Sequence, residues 1–231
     1  MSTFTVPEFA LDSATVEWLS TYDSPTVANA IETFKVRDRT DGYIGGYVHA
    51  LYDAGVMVGQ ALTVTIGQKP GKVAARDGYW AMWEALSQMP SPAVIVMQDV
   101  SGAPERYACA GEVMATMAKR LGAVGMVVDG GLRDLHEVQA LGFHYYAQFP
   151  VVSHGNFEIL DVGIPVQIDG QEIKTGDILH GDVNGIVIVP NDVLDGLEAA
   201  INVIRDREAR FMNFIKSDAF SLEQARAGTG Y

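Results

Sequence analysis

Two nearly continuous apolar runs, VIVMQDV at Val94–Val100 and GMVVD at Gly125–Asp129, constrain this chain more than any other feature. Runs this short and uninterrupted fit strands covered on both faces, because a strand with one wet face alternates. Between them, Gly111–Leu121 carries Val113, Met114, Met117, Ala118 and Leu121 at helical spacing. The unit reads strand, helix, strand, which implies parallel strands joined by a right-handed crossover.

The remaining segments extend that unit. VMVGQALTVTI, Val56–Ile66, is rich in β-formers and predicts a further strand. Helices are expected over Ala14–Phe34, Tyr79–Met89 and Arg133–Leu141. The first is interrupted at Ser24-Pro25, where serine can cap and proline can occupy the first turn of a second helix. Lys35–Gly55, glycine-rich with mixed charges, predicts a long loop. In the second half, PVQIDGQEI and DILHGDVNGIVIVP each place a turn signal, Asp-Gly and Asn-Gly, between alternating segments, as hairpins do. A helix over about Asp192–Lys216 closes a chain that has neither internal repeat nor low-complexity linker. The expected architecture is one α/β domain with a mixed sheet across residues 1–231.

Composition narrows the function. Sixteen Lys and Arg against 29 Asp and Glu give a net charge of −13, which opposes attraction to nucleic acid or anionic lipid. The one cysteine, Cys109, excludes an intrachain disulfide framework, and the N-terminus shows no export signal, so a reducing cytoplasm is the expected location. No apolar run is long enough to span a membrane. The five histidines lack zinc-site spacing, and no lysine falls in an apolar strand where a Schiff base would need it.

Chemistry concentrates in VVDGGLRDLHEV, Val127–Val138. In open α/β sheets ligands collect beyond the carboxyl ends of strands, which is where Arg133 and Asp134 fall. Two glycines permit a tight path, and free amides at a helix start favour anions. Arg133 offers a planar fork to a carboxylate or enolate, and Asp134 a hard oxygen to Mg²⁺ or Mn²⁺. The alternative is that Asp134 caps the helix and Arg133 makes a structural ion pair. Glu112, at the start of the preceding helix, is either a helix-dipole acid or a second carboxylate facing Asp134 across one cation.

AGEVMATMAKRLGAVGMVVDGGLRD, Ala110–Asp134, resembles the signature of the regulator of ribonuclease activity A (RraA)-like family, which includes metal-dependent 4-hydroxy-4-methyl-2-oxoglutarate and 4-carboxy-4-hydroxy-2-oxoadipate aldolases. The shared motif is an acidic residue, twenty positions and Arg-Asp, here Glu112 and Arg133-Asp134. The likeness runs from about Ser24 to the last helix. It implies an αββα sandwich with a mixed sheet, similar to the phosphohistidine swivelling-domain fold. It also implies a homotrimer or homohexamer with the active site between subunits.

Carried over by residue, the resemblance makes Asp134 the direct ligand of Mg²⁺ or Mn²⁺ and Glu112 a water-mediated ligand. Arg133 would polarise the pyruvoyl carbonyl, and the amides of Val113 and Met114 would hold its carboxylate. The implied function is a metal-dependent lyase, an aldolase or decarboxylase, that passes through a pyruvate enolate. The competing class is a non-catalytic regulator of the ribonuclease-inhibitor type. The chain departs from the pattern at Asn29, where many relatives carry Asp, and in GQKPGKVAARDGYW, which lacks a Gly-Asp-Asn.

Four further features stand beside the motif. Ile201, Ile204, Glu208, Phe211 and Ile215 follow helical spacing, so a carboxylate occupies an apolar stripe. By resemblance Glu208 reaches a neighbouring subunit's metal waters; alternatively it pairs with Arg205, Arg207 or Arg210 of another chain. Lys69, Lys72 and Arg76 give their loop either a substrate-facing or a solvated role. Cys109 reads as a small core residue, and Ser153-His154-Gly155 as a weak likeness to phosphohistidine domains.

Overall fold

The computed structural model describes residues 4–68 and 75–228. Lys69 and Lys72 lie outside them. Helices α1 (Ser13–Leu19) and α2 (Ser24–Glu32) are separate because each has its own cap. Asp12 accepts from the Thr15 amide at 2.7 Å, and Asp23 from the Thr26 amide at 2.9 Å. The cap of α2 is therefore Asp23, not Ser24, which is already helical ahead of Pro25.

The glycine-rich segment that follows holds only two two-residue strands, β1 (Tyr43–Ile44) and β2 (His49–Ala50). Strand β3 (Met57–Gln68) leads to helix α3 (Asp77–Gln88) and strand β4 (Ala93–Asp99). Next come β5 (Ala108–Ala110), α4 (Glu112–Arg120) and β6 (Ala123–Leu132). Helix α5 (Leu135–Ala140), β7 (His144–Pro150) and β8 (Phe157–Val162) complete the first half. The expected crossover is present: β3, β4, β6 and β7 pair in parallel, in that order. Strand β6 runs three residues beyond its expected end, through both glycines, because Gly131 and Leu132 pair with β5 on one side and β7 on the other.

The second half is built from hairpins. β9 (Val166–Ile168) and β10 (Gln171–Ile173) join through Asp169-Gly170, with φ of 52° and 77° at the two turn residues, as a type I′ turn requires. β11 (Ile178–Asp182) and β12 (Gly185–Val189) turn at Val183-Asn184, one residue earlier than the Asn-Gly reading. Asp182 Oδ1 captures the Asn184 amide at 2.7 Å, and Gly185 starts the return strand, where a Cβ would meet Ile44 O at 2.4 Å. Helix α6 (Leu194–Ile215) and the short α7 (Leu222–Gly228) end the described chain.

Strand alternation resolves this mixed sheet into an αββα sandwich. In β4, Ile95 and Met97 face a core shared with Leu86 of α3 and Ala115 of α4, whereas Val94 and Val96 face Leu179 of β11 and Ile186 of β12. In β11 and β12, Ile178 and Val187 then face a third core with Val27 of α2 and Ile201 of α6. Two helical layers thus enclose two strand layers. Each large aliphatic side chain buried in these cores contributes about 1.5–3 kcal/mol. His180, fully buried on β11, ties this stack to α1 and α2: its Nε2 lies 3.0 Å from Leu19 O and its Nδ1 2.9 Å from Ser24 Oγ.

Candidate active site

The end of β6 and the start of α4 meet at a cleft of about 300 Å³. Its position follows from backbone bonds. The Arg133 amide donates to Ala110 O at 3.1 Å and the Ala108 amide to Ser153 O at 2.8 Å, so three loops are laced together at the carboxyl edge of the sheet. The Tyr145 hydroxyl donates to Gly111 O at 3.2 Å and fixes the residue from which α4 starts.

Gly111 sets how closely the two halves of the motif approach. A Cβ there would lie 2.3 Å from Asp134 Oδ2 and 3.0 Å from Arg133 Nε, so no larger residue fits this packing. In that contact, Asp134 Oδ2 accepts from the Glu112 amide at 2.9 Å and lies 3.7 Å from Arg133 Nε. The two carboxylates do not face one another across the cleft within one chain. Glu112 brings its amide to Asp134, while its own side chain is exposed and does not line the cleft. Arg133 and Asp134 thus approach each other as an ion pair.

Asp134 does not cap α5 with its side chain. It adopts a left-handed backbone, φ 60° and ψ 44°, a conformation that Asp tolerates better than most residues because its short polar chain bonds locally. That turn aims the carboxylate across to α4. Helix α5 is only six residues long, so the free amides come from α4 instead. Gly111 provides no side-chain cap, and the amides of Val113 and Met114 have no acceptor among the described residues. Both residues line the cleft with Arg133 and Asp134.

The opposite wall is aromatic. Tyr107 stacks on Phe157 at 5.6 Å, and Phe157 meets Tyr79 at 5.6 Å. The Tyr107 hydroxyl is anchored on Asp99 Oδ2 at 2.6 Å. Burial, aided by Asp99, pushes the Tyr107 phenol above its ordinary range, so it remains a donor. Cys109 reaches the cleft but is buried, and desolvation raises its thiol pKa, as a small core residue requires and a nucleophile does not.

The donor set tests which cation could be held. Among the described residues no three His, Cys, Asp or Glu side chains gather as a metal cluster. Asp134 has one oxygen, Oδ1, without a protein partner among the described residues, and its side chain is 36% exposed. One hard carboxylate beside open water suits Mg²⁺ or Mn²⁺, which keep several waters, and not a closed zinc site.

With this geometry in view, the chain can be set beside known proteins. The profile of the RraA-like family, described as Aldolase/RraA, matches residues 24–188. The chain belongs to the RraA-like family. A Halalkalibacterium halodurans protein named "Putative 4-hydroxy-4-methyl-2-oxoglutarate aldolase" is 29% identical over 81% of this chain and 87% of its own. An Ectopseudomonas mendocina protein of the same name is 33% identical over 44% of this chain and 63% of its own. Streptomyces coelicolor RraAS2, described as an unusual member of the RNase ES inhibitor RraA protein family, shares the fold. Its TM-score is 0.70 at 21% identity, over 90% of this chain and 99% of that one.

Some cleft residues of this RraA-like chain had weak or no signal in its sequence. Arg76 lines the cleft with its guanidinium 5.2 Å from the Tyr79 ring centroid, so the fold brings this cation to the site. His154 and Asn156 line it too, because β5 pairs with the His154 backbone through Ala108. Glu208 is not brought there within one chain. It lies half-buried on α6, in the opposite helical layer, and its side chain makes no hydrogen bond or ion pair among the described residues. Within the chain, Arg205 pairs with Asp23 at 3.2 Å.

Proposed function

We propose that this RraA-like protein is a divalent-metal-dependent lyase acting on a pyruvate-derived acid. It cleaves the C3–C4 bond of a 4-hydroxy-2-oxo acid, or decarboxylates an oxaloacetate-type β-keto acid. Both reactions release a pyruvate enolate. The observation that carries this reading is the convergence in one cleft of the Arg133 guanidinium, the Asp134 carboxylate and the two acceptor-free amides of Val113 and Met114. The name of the Halalkalibacterium relative supports the reaction class.

In this reading Asp134 holds Mg²⁺ or Mn²⁺ and Glu112 contributes through water. When bound, the cation supplies Lewis-acid polarisation of the 2-oxo acid's oxygens. The amides of Val113 and Met114, at the positive end of α4, bind the substrate carboxylate. Arg133 donates to the keto oxygen, where charge develops as the C3–C4 electron pair moves to C3. Preorganised donors aimed at such an oxygen are generally the largest catalytic contribution. Glu112, exposed next to the cleft-lining Val113, would move the proton between the C4 hydroxyl and C3 through water. These groups also explain how a chain of net charge −13 attracts an anion: local positive potential outweighs the global field.

The working unit in this reading is a homotrimer or homohexamer, with Glu208 supplied from a neighbouring subunit. Its negative charge opposes nucleic acid as a partner, and no helix among the described residues is long and apolar enough to cross a membrane. We place its activity in the cytoplasm. The deciding experiment measures pyruvate release from a panel of 4-hydroxy-2-oxo acids, 4-hydroxy-4-methyl-2-oxoglutarate among them, and from oxaloacetate, with Mg²⁺ or Mn²⁺. Activity lost in excess chelator is the expected result. Undiminished release in chelator overturns metal dependence, and no release from any hydroxy or keto acid favours the non-catalytic regulator.

A further inference from the structure

A second cavity, of about 350 Å³, opens beside the cleft between α3 and α4. Arg76, Tyr79, Val113 and Met114 line both spaces, so a molecule held at the Val113 and Met114 amides has a direct path into the second. Beyond the shared residues the groove is formed by Trp80, Trp83 and Met117. Trp80 and Met117 are 61% and 41% exposed, a large apolar surface for a soluble chain to leave open next to a polar site.

We propose that this groove is the subsite for the far end of the substrate, and that it selects a 2-oxo acid bearing an uncharged aryl-sized group in place of a second carboxylate. The inference rests on the enolate reading for the orientation of the acid's near end. The lining argues for an apolar occupant. Apart from Arg76, no groove residue is charged, and the Arg76 guanidinium already sits over the Tyr79 ring. A carboxylate pushed further in would lose its water against two indoles and a thioether, and two indole N–H donors replace a full water shell poorly. A phenyl group gains there, by area removed from water and by offset contact with the tryptophans. Retro-aldol cleavage of such an acid breaks the C3–C4 bond, leaves C4 as an aryl aldehyde and returns the electron pair and one proton to C3 as pyruvate. No oxidant or co-reactant is needed.

Three non-cleavable ligands test this by calorimetry in Mg²⁺: pyruvate, 2-oxoglutarate and 2-oxo-4-phenylbutanoate. The phenyl compound is expected to bind on the order of tenfold tighter than pyruvate, and 2-oxoglutarate no tighter than pyruvate. Trp80→Ala and Met117→Glu should each remove most of the phenyl advantage and leave pyruvate affinity unchanged. Equal affinities for the phenyl compound and pyruvate, or a preference for 2-oxoglutarate, overturn the subsite. So does a Trp80→Ala protein that changes its sedimentation but keeps its ligand preference, since the groove is then covered by a second copy. Failure of pyruvate itself to bind points to the enolate reading instead. The two failures are thereby told apart.

Discussion

Asp134 and Gly111 share one contact, and they predict different consequences when changed. Asp134→Asn keeps the shape and the tolerance of a left-handed backbone, so its unfolding midpoint should stay near that of the original protein while Mg²⁺ binding and pyruvate release collapse. Asp134→Ala loses the same function and about 1–2 kcal/mol of stability besides, because alanine has no local hydrogen bond to support φ 60°. Denaturant titration of the two variants side by side checks this; equal stabilities would mean that the turn is unstrained. Gly111→Ala reverses the pattern. Its φ of −148° suits any residue, but the new Cβ displaces Asp134 Oδ2 and Arg133 Nε. We expect at least about 100-fold loss of turnover with little loss of stability, a misplacement effect at the reacting centre. The motif's residue types could be read from the sequence, whereas the Gly111 contact could not, since it depends on how two loops far apart in the chain pack.

Among the elements, β11 carries a proton-linked prediction. Burial lowers the pKa of His180 below the ordinary 6.5, despite the bond to Leu19 O that favours its charged form. The folded protein therefore holds His180 neutral, donating from Nε2 to Leu19 O and accepting from Ser24 Oγ. Below pH 6.5 the unfolded chain binds a proton that the folded chain does not, so stability falls as pH drops through that value and is regained above it. The slope from one such group is at most about 1.4 kcal/mol per pH unit. His144, whose pKa burial also lowers, adds a similar dependence. His180→Asn should remove one share of the slope between pH 5 and 7, measured as urea midpoints, and an unchanged slope would assign the whole effect to other groups. Element existence was largely legible: the β4–α4–β6 crossover, β3 and both hairpins follow from periodicity and turn chemistry. Boundaries were less so. β6 outlasts its apolar run because pairing, not hydrophobicity, holds Gly131 and Leu132, and the β11–β12 turn moves because Asp182 captures Asn184.

For the whole molecule, α6 makes the clearest demand. Its buried residues stop at Ile204, while Met212, Ile215, Phe220 and Leu222 beyond it stay exposed, and Glu208 stands between the two regions. An apolar helix end of this kind fits an interface between copies. We expect sedimentation to give a trimer or a multiple of it, and mixed Arg133→Ala and Glu208→Ala subunits to regain activity that neither has alone. A fully active monomer would remove Glu208 from the site. The lesson of the chain differs by the range of the forces involved. Local rules act within a few residues, so the sequence determined the crossover, the Asp169-Gly170 hairpin, the exclusion of an intrachain disulfide, and the Glu112, Arg133, Asp134 motif with its family. The cleft is another matter. Which amide meets Asp134, that Arg76 and His154 join the site and that a tryptophan groove continues from it depend on contacts between segments tens of residues apart. Only close packing of the four layers brings those segments together, and only the tertiary structure decided them.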